Sequence, residues 1–295
     1  MITVMGASGH TGGKIAETLL AAGERVRALG RSAGKLAALQ RAGAEVLAGD
    51  ATDPTFLTHA FRDADAVYTL VSPDPTAPDY RAAQDRIGEA IATAVRASGV
   101  RHVVALSSLG ADIDGASGAI VGLRAQEERL ASLGHSHVLL LRPASFFENF
   151  ASAPGMIKEH RFFADAVTAE VEIPMVTTRD IADAAAKALR ARDWTGVVVR
   201  ELLGPCDLSY AAATRLLGER IGRPDLKYVQ FADHDMVGAH VNAGLSPSFA
   251  SLYVGMTRAI NARALPPRAG RRPENTTSTR FEAYAAELAE VFRAL

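Results

Sequence analysis

Cysteine is all but absent from this 295-residue chain. Cys206 stands alone, so no intrachain disulfide, cysteine zinc cluster or paired-thiol redox motif can form. An excess of charge of one sign is missing too. The formal net charge is −1 with acids and bases interspersed, which excludes the polyelectrolyte face that DNA, RNA or an anionic membrane selects. No apolar run reaches bilayer length, because Arg, Asp or Gly interrupts every candidate. No basic run precedes an apolar stretch at the N-terminus, where Ile2 to Met5 is only strand length before glycines intervene, so no signal peptide is expected. Histidines at metal-ligand spacing are also lacking. His135 and His137 flank a strand start, and His234 and His240 are six apart where one helical face needs i, i+4. No metal is predicted. The absences together predict a cytoplasmic protein with a small-molecule substrate, no nucleic acid and no membrane partner.

What is present is ordinary globular usage, 48% hydrophobic and 22% charged, enough to bury a large core. The first half alternates short β-rich runs (Ile2–Met5, Arg25–Leu29, Glu45–Ala48, Ala66–Val71, His102–Leu106, Val138–Leu141) with Ala- and Leu-rich stretches of helical spacing (Lys14–Ala22, Gly34–Ala42, Tyr80–Ser98, Arg124–Leu133). The β-α-β-α order implies a parallel sheet. The strand runs are apolar almost throughout, as needed when helices cover both faces. The expected class is α/β: a Rossmann-type doubly wound parallel sheet of six strands over 1–150, with a smaller mixed α/β substrate-covering lobe over 151–295. Parts of about 168–205 can return to the first domain. In the second half, helices are predicted over Thr178–Leu189, Leu208–Ile221, Ala232–Asn242, Ser248–Arg263 and Thr279–Ala294, with a strand at Gly196–Arg200.

The first strand runs directly into Gly6-Ala7-Ser8-Gly9-His10-Thr11-Gly12, and a helix is expected from about Gly13. A pyrophosphate requires main-chain N–H groups aimed at it with a helix N-terminus behind, and glycines let the chain come that close. Gly6, Gly9 and Gly12 meet this need, and Ser8 and Thr11 can add hydroxyls; a glycine turn without a ligand is the bland alternative. His10 can contact the ligand or face solvent. About 20 residues past the glycines, where an NAD site would carry Asp or Glu, the chain has Gly30-Arg31-Ser32. Arg31, Ser32 and Lys35 suit a 2′-phosphate and favour NADP(H), unless these bases are simply solvated. Ser72 and Ser107 follow the fourth and fifth strands at the carboxyl edge, where open α/β sheets bind ligands.

The spacing G-x-x-G-x-x-G resembles that of short-chain dehydrogenases/reductases. With Gly49-Asp50 after the third strand, Leu141-Arg142-Pro143-Ala144-Ser145-Phe146-Phe147-Glu148-Asn149-Phe150 after the sixth and Glu274–Phe281 near the end, the chain is similar over nearly its whole length to the NmrA-like atypical members. The resemblance implies that the Asp50 carboxylate accepts from the adenine amino group with Ala51 adding its N–H, although Asp50 can equally cap the next turn. Ordinary short-chain reductases pair a serine after the fifth strand with Tyr-x-x-x-Lys. That pair is absent: no tyrosine lies between Ser108 and Arg142. Many NmrA-like relatives carry lysine where Arg124 falls, so Arg124 either holds the nicotinamide ribose or a substrate anion, or pairs on the surface with Glu128. It cannot act as an acid at neutral pH. Phe146, Phe147 and Asn149 are expected around the substrate pocket, and no catalytic residue is identified.

The resemblance and the glycine turn imply an NADPH-dependent reductase passing hydride to a small conjugated acceptor such as a quinone or enone, which needs little proton help. The alternative is a non-catalytic NADP(H)-sensing protein acting through a regulatory protein partner, and a homo-oligomer is compatible with either.

Overall fold

A computed structural model describes residues 1–113 and 118–295. Strand and helix alternate through β1 (Ile2–Val4), α1 (His10–Ala21), β2 (Val26–Gly30), α2 (Ala37–Arg41), β3 (Glu45–Ala48), α3 (Pro54–Phe61), β4 (Ala66–Leu70), α4 (Tyr80–Ser98), β5 (His102–Leu106), α5 (Ile120–Ala131) and β6 (His137–Pro143). There follow β7 (Ser145–Phe146), α6 (Ala153–His160), β8 (Phe162–Asp165), β9 (Ile173–Val176), α7 (Thr178–Ala191), β10 (Val197–Leu202), β11 (Asp207–Leu208), α8 (Tyr210–Arg220), β12 (Lys227–Gln230), α9 (Asp233–Asn242), α10 (Pro247–Asn261) and α11 (Phe281–Ala294).

Seven strands form one parallel sheet in the order β10-β6-β5-β4-β1-β2-β3. Alternate strand residues feed two different cores, since successive side chains point to opposite faces. Val4, Ala28, Tyr68 and Leu139 pack with Ile15 and Leu19 of α1 and Ile181 and Leu189 of α7. Leu29, Val67, Val103 and Leu140 pack with Phe61 of α3 and Ile87 and Ile91 of α4. Both faces are therefore apolar, and the strands lack polar alternation. From β1 the chain winds outward to β2 and β3, then returns to β4 on the other side, so a crevice opens beyond the carboxyl ends of β1 and β4.

The structure departs from the sequence-based expectations in several places. The sheet has seven strands and not six, because Val197–Leu202 pairs in register with His137–Pro143. Helix α1 begins at His10 and not near Gly13, with Gly9 as its N-cap, so two of the turn's glycines and Thr11 belong to the cap and first turn. Helix α3 was not anticipated; it is eight residues long and starts on the Asp53 side chain accepting from Thr55 N at 2.8 Å. The small sheets β11-β9-β7 and β12-β8 use strands of two to four residues, too short to show a period.

The second lobe closes over an aromatic core in which Phe150 packs against Phe163, Tyr210 and Phe281 at ring separations of 4.8–5.1 Å. Beside it Asp165 is buried, accepting from the Tyr253 hydroxyl at 2.6 Å and from Val167 N at 3.2 Å. No basic side chain pairs with it among the described residues. Burial raises its carboxyl above the ordinary carboxylate value, outweighing those hydrogen bonds. The folded chain then holds this proton more tightly than the unfolded chain does. Its contribution to stability is fully present below the ordinary carboxylate pKa and is lost as pH rises toward the raised value. Asp165→Asn keeps an acceptor oxygen and removes the charge, so thermal unfolding monitored from pH 4 to 8 should show a higher Tm at neutral pH and a flatter pH dependence. A lower neutral-pH Tm for the variant would mean that the ionised carboxylate is stabilised where it sits.

Candidate functional site

Two cavities meet at the carboxyl edge of the sheet. The larger, about 620 Å³, lies over β4, β5 and β6 and is bordered by His10, Thr11, Ser107, Ser145, Phe146 and Asn149, among others, and roofed by Met256, Ile260 and Leu265–Pro267. The smaller, about 200 Å³, is bordered by Ser8, Gly30, Arg31, Gly49, Ala51 and Phe56. Gly6, Gly9, Leu70 and Ser72 border both. One elongated ligand can thus run from one cavity to the other across the glycine turn.

Each glycine in that turn answers a separate physical need. Gly6 has φ +64°, and a Cβ there would sit 2.8 Å from Leu70 Cδ2. At Gly12 a Cβ would collide with the main-chain oxygens of Gly6 and Met5, so this glycine sets how closely α1 seats on β1. Gly9 is different. Its backbone is extended, it is exposed, and an added Cβ would meet only Gly6 O at 3.3 Å. As N-cap it offers no side chain to α1, whereas Asp53, Asp79 and Thr177 cap α3, α4 and α7. The first-turn N–H groups of α1 therefore lack intrahelical partners and face the junction of the two cavities with the positive end of the helix dipole behind them. That donor set suits a diphosphate. Thr11 contributes less to it than expected, because its hydroxyl is buried and accepts from Tyr68 Oη at 3.1 Å.

On the side of the smaller cavity, Arg31 is 80% exposed and its guanidinium lies 3.5 Å from Asp74 Oδ2. It is an exposed cation at the cavity mouth, within reach of an acidic partner other than Asp74. Ser32, Lys35 and Asp50 are exposed and do not form the wall. Asp50 accepts from Thr52 N at 2.8 Å, the turn-capping role that its sequence context allowed, while Gly49 and Ala51 line the cavity itself.

Around the larger cavity three hydroxyl hydrogens are already committed. Ser107 Oγ donates to Glu127 at 2.5 Å, Ser108 Oγ to Leu109 O at 3.0 Å, and Thr178 Oγ1 to Glu148 at 2.6 Å. Glu127 is itself buried and clasps Arg142 in a two-pronged pair at 2.9 and 2.6 Å, with Asp112 on the third guanidinium nitrogen at 2.8 Å. The hydrogen bonds and charges of these acids hold Arg142 above its ordinary pKa even though burial works against that. From Asp112 the network reaches Arg268, whose main-chain N donates to buried Glu201 at 2.8 Å. Glu201 lies beside Arg142 in register. The roof residues Leu265–Pro267 are thus hung from the polar ends of β6 and β10.

Sequence reasoning missed Glu127, Arg142, Glu201 and Arg268. A charged residue near the end of an apolar strand, Arg142 after Val138–Leu141 and the pair Arg200-Glu201 after Val197–Val199, was the available signal. Two expected site residues lie elsewhere. Phe147 is 2% exposed and packs on Phe281 and Tyr284, so it supports the second lobe and does not border the cavity. Arg124 borders neither cavity; its guanidinium bonds Glu128 at 3.1 Å and Ile113 O at 3.2 Å, because it projects from the outer side of α5. Phe146 and Asn149 do border the large cavity. Among the described residues no group of His, Cys, Asp and Glu is arranged to hold a metal, and no helix is long and apolar enough to cross a membrane.

The NmrA-like family model matches residues 1–238. The chain is 34% identical over 227 residues, 76% of this chain and 75% of the relative, to a (4-alkanoyl-5-oxo-2,5-dihydrofuran-3-yl)methyl phosphate reductase of Streptomyces griseus. It is 28% identical over 294 residues, 97% and 98% of the two chains, to an NAD(P)H azoreductase of Xenophilus azovorans. Among solved structures, an NADPH-dependent quinone oxidoreductase from Escherichia coli in complex with NADPH superposes with a TM-score of 0.79 at 22% identity, covering 98% of this chain and 99% of the other. That likeness is one of fold.

Because a Cβ at Gly9 meets only Gly6 O, in a tight contact at 3.3 Å that a small shift relieves, whereas a diphosphate above it would leave no space at all, Gly9→Val separates the two. The variant should unfold at nearly the wild-type temperature while NADPH affinity, read by calorimetry, falls by about a hundredfold or more, the order expected when charge-assisted bonds from the turn are lost. Undiminished NADPH binding by the folded variant would make the turn purely structural.

Proposed function

The chain belongs to the NmrA-like family, and from that premise we propose that it is an NADPH-dependent reductase that passes hydride to a small conjugated acceptor. The observation that carries this reading is the pair of cavities joined at an uncapped helix N-terminus, the smaller with Arg31 at its mouth and the larger lined mainly by apolar groups. The turn Gly6–Gly12 and the first turn of α1 hold the diphosphate. Gly30, Gly49, Ala51 and Phe56 border the adenosine, with Arg31 exchanging Asp74 for the 2′-phosphate. Ser32, Lys35 and Asp50 do not line this pocket.

When bound in the larger cavity, NADPH supplies a hydride. The protein's part is to exclude water and to seat the acceptor, through Leu123, Phe146, Met256, Ile260 and the Leu265–Pro267 roof. Among the described residues no tyrosine or lysine borders this cavity, and Ser107, the position that serves as a catalytic serine in ordinary short-chain reductases, is turned toward Glu127. His10, Glu172 and Asp207 border the cavity, but among the described residues no tyrosine–lysine pair of the kind that protonates a carbonyl does, which disfavours simple ketones, whose alkoxide needs a proton early. The names of the relatives point the same way, since a quinone, an azo bond and an acyl-substituted unsaturated lactone are all electron-poor conjugated acceptors.

The test is NADPH oxidation at saturating cofactor across quinones, enones and saturated ketones. Quinones should turn over with kcat/KM at least about a hundredfold above ketones, consistent with the loss of general acid catalysis being worth two to four powers of ten. Tight NADPH binding with no turnover of any acceptor would overturn the reductase reading in favour of a cofactor sensor.

A further inference from the structure

Hydrogen-bond accounting around the larger cavity leaves one hydroxyl in a distinctive state. Ser107, Ser108 and Thr178 spend their protons on Glu127, Leu109 O and Glu148. Thr11 is buried in the first turn of α1 with its oxygen taken by Tyr68, and Ser72 lies at the junction with the smaller cavity. Ser145 shares with Thr11 an oxygen that accepts a hydrogen bond, but it is only half-buried where Thr11 is buried. Its Oγ accepts from Asn149 Nδ2 at 3.0 Å, and the buried Tyr210 side chain interacts with both Ser145 and Asn149. A hydroxyl that accepts from an amide N–H is polarised toward donating. Ser145 and Asn149 border the cavity, whereas Tyr210 does not.

The elements explain how the three meet. Ser145 is pinned in β7 by its parallel register with Met175 of β9, Asn149 follows one turn later, and Tyr210 opens α8 with its ring packed on Phe150 at 4.8 Å. Packing therefore fixes Tyr210, and the Asn149 amide fixes the oxygen of Ser145, as preorganisation requires.

Resting on the reductase reading, we propose that Ser145 is the catalytic hydrogen-bond donor to the acceptor's carbonyl oxygen, with Asn149 and Tyr210 as its positioning residues, and that the preferred acceptor is accordingly one that develops negative charge on oxygen. The acceptor takes up the hydride supplied by NADPH: the carbon–hydrogen bond of the donor ring breaks, the bond to the acceptor forms with its electron pair, the donor is oxidised and the acceptor oxygen becomes an oxyanion. The Ser145 hydroxyl stabilises that charge without giving up its proton. A hydroquinone or enolate anion then leaves the cavity and takes a proton from water.

Two readouts on Ser145→Ala, with Tyr210→Phe as the conservative companion, test this. In the first, kcat with a naphthoquinone should fall on the order of a hundredfold, as for loss of one oxyanion donor. With a triarylmethyl cation, which becomes neutral on accepting hydride and develops no oxyanion, it should change by less than about twofold on the same argument. Tyr210→Phe should show the same selectivity in weaker form. In the second, binding of 4-nitrophenolate to the NADP⁺-loaded protein, followed by its absorbance, should weaken by about tenfold in Ser145→Ala, the worth of one charge-assisted hydrogen bond. Equal losses with both acceptors, or phenolate affinity indifferent to Ser145, would overturn the assignment. A wild-type protein inactive toward both acceptors but binding phenolate through Ser145 would overturn the reductase reading and leave Ser145 an oxyanion-binding residue.

Discussion

The arrangement depends on how closely α1 seats against the end of β1. Gly12 has no side chain because the oxygens of Gly6 and Met5 occupy the space where a Cβ would be. That contact brings the N-terminus of α1 to the crevice left where the winding of the sheet reverses between β1 and β4. An uncapped helix start in that crevice is a concentrated set of donors, and both cavities take their position from it. The glycine N-cap forgoes only about a few tenths of a kcal/mol relative to a capping side chain, and a bound anion can supply it instead.

A second constraint acts from the opposite side of the large cavity. Arg142 and Glu201 end neighbouring parallel strands and are buried, which for charged groups is tolerable only when each is fully partnered. Glu127 and Asp112 partner Arg142, and the main-chain N–H groups of Arg268 and Ala269 partner Glu201. The chain segment carrying the roof is thereby part of the electrostatic balance of the sheet. Removing one member would leave the others buried and unpaired, so the roof over the acceptor site is held by the same ionic network that keeps the strand ends in place.

How much of this was legible in the sequence follows from the range of each interaction. The glycine turn was legible because its demands are local: positive φ at Gly6, no space at Gly12, and a strand and helix on either side. Arg31 was legible as a base where a carboxylate would otherwise stand. The two-faced burial of the strands could be read from their unbroken apolar character. What was hidden depends on partners far apart in the chain. Glu201 meets Arg142 only because β10 crosses back to pair with β6, and Tyr210 reaches Ser145 across 65 residues through a three-stranded sheet of very short strands. Phe147 could not be told from Phe146 by pattern, since their different fates are set by a 3-10 turn that aims one at the cavity and the other at Phe281 and Tyr284.

The central claim, that one dinucleotide spans both cavities across the α1 N-terminus, is tested most directly by a crystal structure of the protein with NADP⁺. The account predicts the diphosphate on the Gly6–Gly12 turn, the adenine between Gly49–Ala51 and Phe56 with the 2′-phosphate on Arg31, and the nicotinamide in the larger cavity facing Ser145. A nicotinamide left in solvent, or an adenine in the larger cavity, would contradict it.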